Sequence, residues 1–279
     1  MMNGFSKAVK SQQRLRLAID GISGSGKTYT ALAIATGMGE SIAVIDSEHK
    51  SSELYADRFT FDVMGLESFQ IEDYMAALDM AASAGYGTLI IDSTSHAWDA
   101  LVDRVERIAG QKYSGNTFRA WGEGTPLQRQ LIEKLLSYPG HLIVTCRSKT
   151  EYSIDKDTNG KTTITKVGTA AVQRQGFEYE FTMAMTMDSN HVGLVTKDRT
   201  GKFQDAFISK PGIDFGKQLI AWLHEGAIDW VQEAARLTKE AGYTAEQKST
   251  LWKSSGSNAE AYCKALETVI AERKAAQLD

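Results

Sequence analysis

RLRLAIDGISGSGKTYTALAIA, residues 14–35, sets the fold of everything around it. The apolar run RLRLAID (14–20) has the length and burial pattern of a strand. GISGSGKT (21–28) follows without a break and matches G-x-x-x-x-G-K-[ST] in full. TYTALAIATGMG (28–39) then reads as a helix that stops on a glycine. Glycines let such a loop wrap a phosphate with backbone N–H groups, and the helix N-terminus adds roughly half a positive charge. A lysine at position 27 reaches the β- and γ-phosphates of a nucleotide, and the Thr28 hydroxyl suits Mg²⁺. A glycine turn that merely opened a helix would need neither. The nucleotide contacts expected here are Gly21, Ser23, Gly24, Ser25, Gly26, Lys27, Thr28 and Tyr29.

Outward from this stretch, SIAVID (41–46), TLIID (88–92) and HLIVT (141–145) are further near-continuous apolar runs. Helical segments with apolar residues three to four apart, such as IEDYMAALDMAASAG (71–85) and AWDALVDRVERIAG (97–110), separate them. That alternation predicts a mostly parallel sheet with helices on both faces. Asp92 ends its strand about one βα unit beyond the loop, where a carboxylate holds Mg²⁺ through water. TPLQRQLIEKLL (125–136) predicts a helix capped by Thr125, with Pro126 at its first position and Gln128 closing a capping box. After residue 145 two hairpins are expected, one turning at Asn159-Gly160 and one at Asp188-Ser189-Asn190, as antiparallel additions to the sheet. Helix returns from about residue 216, with capping boxes at Thr244/Gln247 and Ser257/Glu260. The expected organisation is an N-terminal arm (1–13), an α/β P-loop core (14–226) and a small helical appendage (227–279).

The 279 residues, 42% of them apolar, suffice for one large core with a small satellite. A net charge of −4 argues against a protein that coats nucleic acid by bulk attraction, so any polyanion site is local. Cys146 and Cys263 stand alone, without the spacing of a disulfide framework or a zinc site. MMNGFSKAVKSQQ has no apolar h-region, and no stretch is long enough to span a membrane, so a soluble cytoplasmic protein without membrane partners is expected. The five histidines lack metal spacing; His96 lies four residues past Asp92, within reach of the site.

Two carboxylates end the second strand, in VIDSEHKSSELYAD (44–57). This segment closely resembles the one after the second core strand of bacterial RecA recombinases. The resemblance implies that Glu48 polarises the attacking water and leaves Asp46 as a strand-end acid. VTKDRTG (195–201) resembles the Lys-x-Arg element with which RecA- and DnaB-type proteins reach a neighbouring subunit's nucleotide, which implies Lys197 and Arg199 as fingers supplied in trans. More narrowly, about residues 14–225 are similar to phage-encoded RecA-like ATPases, some of them grouped with single-strand annealing and recombination. Two features depart from the RecA pattern. Cys146 and Arg147 stand where a γ-phosphate-sensing glutamine is usual, so Arg147 either replaces the sensor or pairs with an acid. Only about a dozen residues precede the first strand, although Phe5 and Ala8 match the Phe-x-x-Ala pattern that related recombinases insert into a neighbour.

Two locally basic stretches are candidate DNA contacts. Residues 107–129 set Lys112 and Arg119 among Tyr113, Phe118 and Trp121, a mixture that suits stacked bases and phosphates. Residues 147–174 carry a net charge of +3 and include Lys149, Lys161, Lys166 and Arg174. The same residues also read as aromatic packing and a solvated hairpin. Together with the resemblance they imply an ATP- and Mg²⁺-dependent ATPase that assembles as a ring or filament, binds single-stranded DNA and is phage or prophage encoded. A second reading is a nucleotide-dependent switch or loader acting on a replication or single-strand-binding protein through the C-terminal helices. A small-molecule kinase would need a lid and an acceptor pocket, and no stretch supplies them.

Overall fold

The structure, a computed structural model, describes residues 10, 12–156 and 162–275. Phe5, Ala8, the Asn159-Gly160 turn, Lys161 and the Lys166 side chain lie outside the described residues. The first half alternates strand and helix: β1 (Arg16–Gly21), α1 (Lys27–Met38), β2 (Ile42–Asp46), β3 (Asp62–Gly65), α2 (Ile71–Ala84), β4 (Thr88–Asp92), α3 (Ser95–Lys112) and α4 (Thr117–Leu136). There follow β5 (His141–Lys156), β6 (Thr162–Ala171), β7 (Met183–Met187), β8 (Val192–Asp198), β9 (Phe207–Ser209) and α5 (Ile213–Leu223). Three helices close the chain: α6 (Trp230–Glu240), α7 (Ala245–Ser254) and α8 (Ala259–Ala275).

The strands pair in the order β3-β2-β4-β5-β1-β7-β8-β9, with β6 on the far half of β5. From β3 across to β7 every pairing is parallel; β8, β9 and β6 pair antiparallel. The fold is thus α/β with a mostly parallel sheet and antiparallel additions, as the strand pattern implies. Successive strand residues serve opposite faces. Ala18, Ile45, Leu89, Ile91 and Leu142 face α2, α3 and α4, whereas Leu17, Ile19, Val44, Ile90 and Ile143 face α1 and α5. Because α1 lies between the sheet and α5, it is apolar nearly all round. Full burial of Leu32 and Ile34 there contributes roughly 1.5–3 kcal/mol apiece. Gly37 and Gly216 let α1 and α5 meet backbone to backbone: a Cβ on either would strike a carbonyl of the other helix.

Three local expectations change and one strand is new. β7 forms the expected hairpin with β8 but itself lies parallel beside β1, so the antiparallel part of the sheet begins one strand later. β3, four residues long and largely exposed on the sheet edge, carries too little apolar signal to read from sequence. α4 starts eight residues before Thr125, capped by Asn116, whose side chain accepts the Arg119 N–H at 3.1 Å. Pro126 therefore sits inside the helix, because Ala120 and Gly124 pack against α3 and hold the turns on either side. In α8 the side chain of Asn258, not Ser257, takes the capping bond, from Ala261 N–H at 3.0 Å. The Thr244/Gln247 capping box forms as expected.

Helices α6–α8 bury their own cluster around Leu237, Tyr262, Cys263 and Leu266. A polar junction joins α6 to the sheet edge: Arg14 contacts Glu40 at 3.3 Å and Glu233 at 3.1 Å, and Arg236 contacts Glu233 at 2.6 Å. Beneath it the fully buried His141 accepts the Leu15 N–H at Nδ1, 2.9 Å away. Burial pushes the His141 pKa below its ordinary 6.5, with Glu40 opposing. Below about pH 6.5 the unfolded chain takes up a proton that the folded ring refuses, so stability present above that pH is lost as pH falls. Melting temperature is expected to drop between pH 7 and 5, with a slope of up to about 1.4 kcal/mol per pH unit. An unchanged slope in His141→Asn would count against this origin.

Candidate nucleotide site

The phosphate loop leaves the C-terminal end of β1 between β5 and β7, on the edge where open parallel sheets bind ligands. Gly24 and Gly26 adopt φ of 78° and 89°, conformations that favour glycine, and Gly26 caps α1. No acidic residue occupies the first turn of α1, so its positive end is uncompensated. Lys27 Nζ donates to the carbonyls of Gly21 and Ile22 at 2.9 and 3.1 Å. Its pKa is lowered, mainly by burial, against the pull of Asp92 and Glu48. Ser25 is fully buried, and its hydroxyl has no hydrogen-bond partner among the described residues.

Asp92, only 2% exposed, accepts the Thr28 hydroxyl at 2.5 Å and also the Thr145 hydroxyl. Burial raises its pKa, and those two bonds resist. Among the described residues no cluster of three or more His, Cys, Asp or Glu could hold a metal. One carboxylate and one hydroxyl instead fit Mg²⁺, which keeps waters and binds through one or two protein oxygens plus substrate phosphates. The uncompensated helix end, the glycine cradle and the half-buried Lys27 fit those phosphates.

Asp46 and Glu48 part company in three dimensions. Asp46 is buried and accepts the N–H of Glu48 at 2.7 Å, the N–H of Ser52 at 3.0 Å and the Ser52 hydroxyl at 2.5 Å, so it shapes the loop on which Glu48 stands. Ser47 Oγ accepts the Ser93 N–H at 2.9 Å and ties that loop to the end of β4. Glu48 faces the cleft. Arg147 grips it with a fork, Nε to Oε1 at 2.9 Å and Nη2 to Oε2 at 2.8 Å, and the Ser93 hydroxyl donates to Oε1 at 3.2 Å. Burial raises the Glu48 pKa, but Arg147 and the nearby His96 outweigh it and hold the carboxyl below its ordinary range. His96, stacked on Phe69, stands 3.9 Å from Glu48.

A cleft of about 860 Å³ joins Lys27, Thr28, Glu48, Asp92 and Arg147. Its walls include residues that sequence reasoning missed: Tyr55, Arg58, His191, Lys210 and Pro211. Tyr29, just past the loop, meets Tyr55 and Phe59 edge-on at 5.7 and 5.2 Å. His191 comes from the β7–β8 turn, its Nδ1 3.1 Å from Ser25 O. Tyr55 was within view in VIDSEHKSSELYAD, whereas no sequence signal marks Lys210. Asp20, the last residue but one of β1, is a further residue that sequence reasoning missed; it accepts the hydroxyls of Ser148 and Thr186 at 2.7 and 2.8 Å.

Lys197 and Arg199 are not brought to this cleft. Lys197 pairs with Ala184, and Arg199 N–H donates to Thr182 O, level with Arg16 at the start of β1. At about 3.3 Å per residue Arg199 lies roughly 16 Å along the strand from the loop, at the opposite sheet edge, and Lys197, level with Ala18, lies roughly 10 Å from it. Both side chains donate to the Tyr179 carbonyl. The first basic stretch spans the end of α3, a short turn and much of α4: Lys112 and Tyr113 both bond Glu123, at 2.8 and 2.9 Å, while Phe118 is 89% exposed beside the exposed Arg119. Trp121 stacks on Trp98 at 5.4 Å, with the Arg174 guanidinium 5.8 Å from its ring. Lys149 is exposed on β5.

Residues 13–208 match the family model described as "AAA domain". No curated protein matches the chain. A solved structure described as a prototypical ATPase from the type III secretion system of pathogenic bacteria aligns over 92% of this chain and 81% of its own, at 12% identity. Its TM-score of 0.36 is too low to carry weight.

Proposed function

The chain belongs to the AAA-domain family of P-loop ATPases, and from that premise we propose an oligomeric, DNA-stimulated ATPase that binds single-stranded DNA and assists annealing or recombination, encoded by a phage or prophage and working in the host cytoplasm. The observation that carries the ATPase part is the convergence of Lys27, the Thr28–Asp92 pair and Glu48 on one cleft. Lys27 and the loop N–H groups hold the β- and γ-phosphates, and Thr28, with Asp92 behind it, holds Mg²⁺, which neutralises phosphate charge when bound. Glu48 orients the water that attacks the γ-phosphorus, yielding ADP and phosphate.

The position of Lys197 and Arg199, back along the strands from their own loop, supports assembly. A residue pair that cannot reach its own loop can serve a neighbour's if copies stack head to tail, as in a ring or filament. DNA contact rests on Phe118 and Arg119 at the exposed start of α4 and on Lys149, cations and an aromatic face suited to unpaired bases. Lys161, Lys166 and Arg174 extend this set; Arg174 already contacts Gln128 at 3.3 Å. The separate core of α6–α8 favours a second reading, a loader that binds a replication protein through those helices.

Filter binding of a single-stranded oligonucleotide at low salt, with and without ATP and Mg²⁺, tests the DNA role. Retention is expected to rise with ATP and to fall about tenfold in Phe118→Ala/Arg119→Ala, since base stacking is worth about 1–3 kcal/mol. No retention in either state sinks it. A partner captured only when residues 227–279 are present would favour the loader.

A further inference from the structure

The β7–β8 turn reaches the phosphate loop from outside it. Asp188 shapes the turn: its Oδ1 accepts the N–H groups of Asn190 and Val192, both at 2.8 Å, and its carbonyl accepts the His191 N–H at 3.2 Å. His191 takes a φ of 62°, and its own carbonyl accepts the Lys210 N–H at 2.8 Å. With the backbone held on both sides, the imidazole lies over Gly26, where a Cβ would come within 3.2 Å of Nδ1. Nδ1 stands 3.1 Å from the Ser25 carbonyl. A carbonyl only accepts, so the ring carries its proton on Nδ1 and donates.

That bond fixes more than one oxygen. In a trans peptide the carbonyl and the following N–H point in opposite directions, so a Ser25 carbonyl held toward His191 sets the Gly26 N–H away from the ring. Ser25 has little else to offer a ligand: it is fully buried, its N–H is spent on the Ile22 carbonyl at 3.2 Å, and its hydroxyl lies under the loop, where a Cβ on Gly21 would strike it. Gly26, which lines the cleft beside Lys27, supplies the next N–H. Its φ of 89° and missing side chain leave the Ser25–Gly26 peptide little intrinsic resistance to turning over. A turned peptide would aim a carbonyl, not a donor, at an anion.

We infer that His191 is a positioning residue of the phosphate loop: by holding the Ser25 carbonyl, its Nδ1–H keeps the Gly26 N–H aimed at the phosphates of a bound nucleotide. The inference rests on the reading of the cleft as a nucleotide site. The loop N–H groups serve the α- and β-phosphates, which ADP and ATP share. His191 therefore sets affinity for both nucleotides and not the choice between them. It acts through the loop without touching a phosphate, and no covalent bond is made or broken.

Calorimetric titration with Mg²⁺-loaded ADP and with a non-hydrolysable ATP analogue tests this without measuring turnover. In His191→Asn the amide nitrogen stands as many bonds from the backbone as Nδ1, and Asn accepts a positive φ, so both ligands are expected to bind within about twofold of the native chain. His191→Gly keeps a turn that glycine suits but removes the donor, and is expected to weaken both about fivefold. An Asn variant as weak as the Gly variant would mean that the imidazole acts through its charge or bulk and would overturn the inference. Native affinity in the Gly variant overturns it as well. His191→Ala, which also lacks the donor, carries the comparison if thermal melting shows the Gly variant unfolded. The direction of the N–H has its own signature: on ADP binding the Gly26 amide proton resonance is expected to move downfield in the native and Asn proteins, as a charge-assisted bond forms, and much less without the donor. An equal shift in all of them, or none in the native chain, sinks the assignment. Failure of the native chain to bind either nucleotide instead overturns the underlying reading of the cleft, a result distinct from a Gly variant that binds as tightly as the native chain.

Discussion

Glu48→Gln protein is expected to hydrolyse ATP at least about a hundredfold more slowly than the native chain while still binding nucleotide. The amide cannot take a proton from water and offers one acceptor oxygen where the carboxylate offers two. The loop itself should hold, because its shape rests on Asp46, which accepts the N–H groups of residues 48 and 52, and on Ser47, which bridges to the end of β4. Position is therefore kept and chemistry lost. Phosphate release at saturating ATP, set beside nucleotide affinity, separates the two. Turnover at the native rate would remove Glu48 from the mechanism.

Lys27→Ala is expected to fail one step earlier. A hydrogen bond between a cation and an anionic oxygen is worth about 1.5–3 kcal/mol, so loss of the ammonium should weaken triphosphate binding roughly ten- to a hundredfold, with hydrolysis falling at least as far. Folding should be little affected, since the lysine's own bonds in the structure go to two carbonyls of the loop, Gly21 and Ile22, rather than to the core. Fluorescence titration with a labelled ATP, alongside thermal melting, distinguishes a lost ligand contact from a lost fold. Native affinity in this variant would leave the loop without its assigned role.

The contrast between these two residues reflects how each was legible. Lys27 belongs to a contiguous stretch in which strand, glycine loop and helix start are all local, so residues 14–35 nearly suffice to place it. Asp92 was nearly as plain, because TLIID ends its strand as the apolar run stops and meets Thr28 across the sheet edge. Glu48 needed more. Two acids two residues apart at a strand end look alike in sequence, and a family resemblance separated them; in the structure one is buried in backbone bonds and the other faces the cleft. Sequence leaves Arg147 between sensing a phosphate and pairing with an acid; in the structure its partner is Glu48, 99 residues away in the chain. At Pro126 the sequence misleads about α4, because a proline is a strong local signal and the packing of Gly124 against Val105 that overrides it is not local.

Sequence by itself determined the elements whose causes are periodic or contiguous: the apolar strands buried on both faces, the glycine conformations of the phosphate loop, the cap of α7. Only the tertiary structure decided the strand order and register, and with them three facts on which function turns. β5 stands between β1 and β4, which carries Arg147 to the side of the loop and Thr145 to Asp92. The reversal of β8 carries Lys197 and Arg199 to the edge away from their own cleft. The β7–β8 turn and the segment after β9 bring His191 and Lys210 to the cleft wall. Each depends on backbone pairing between segments far apart in the chain, where no local propensity chooses the partner and the sheet settles it by which faces can be buried together.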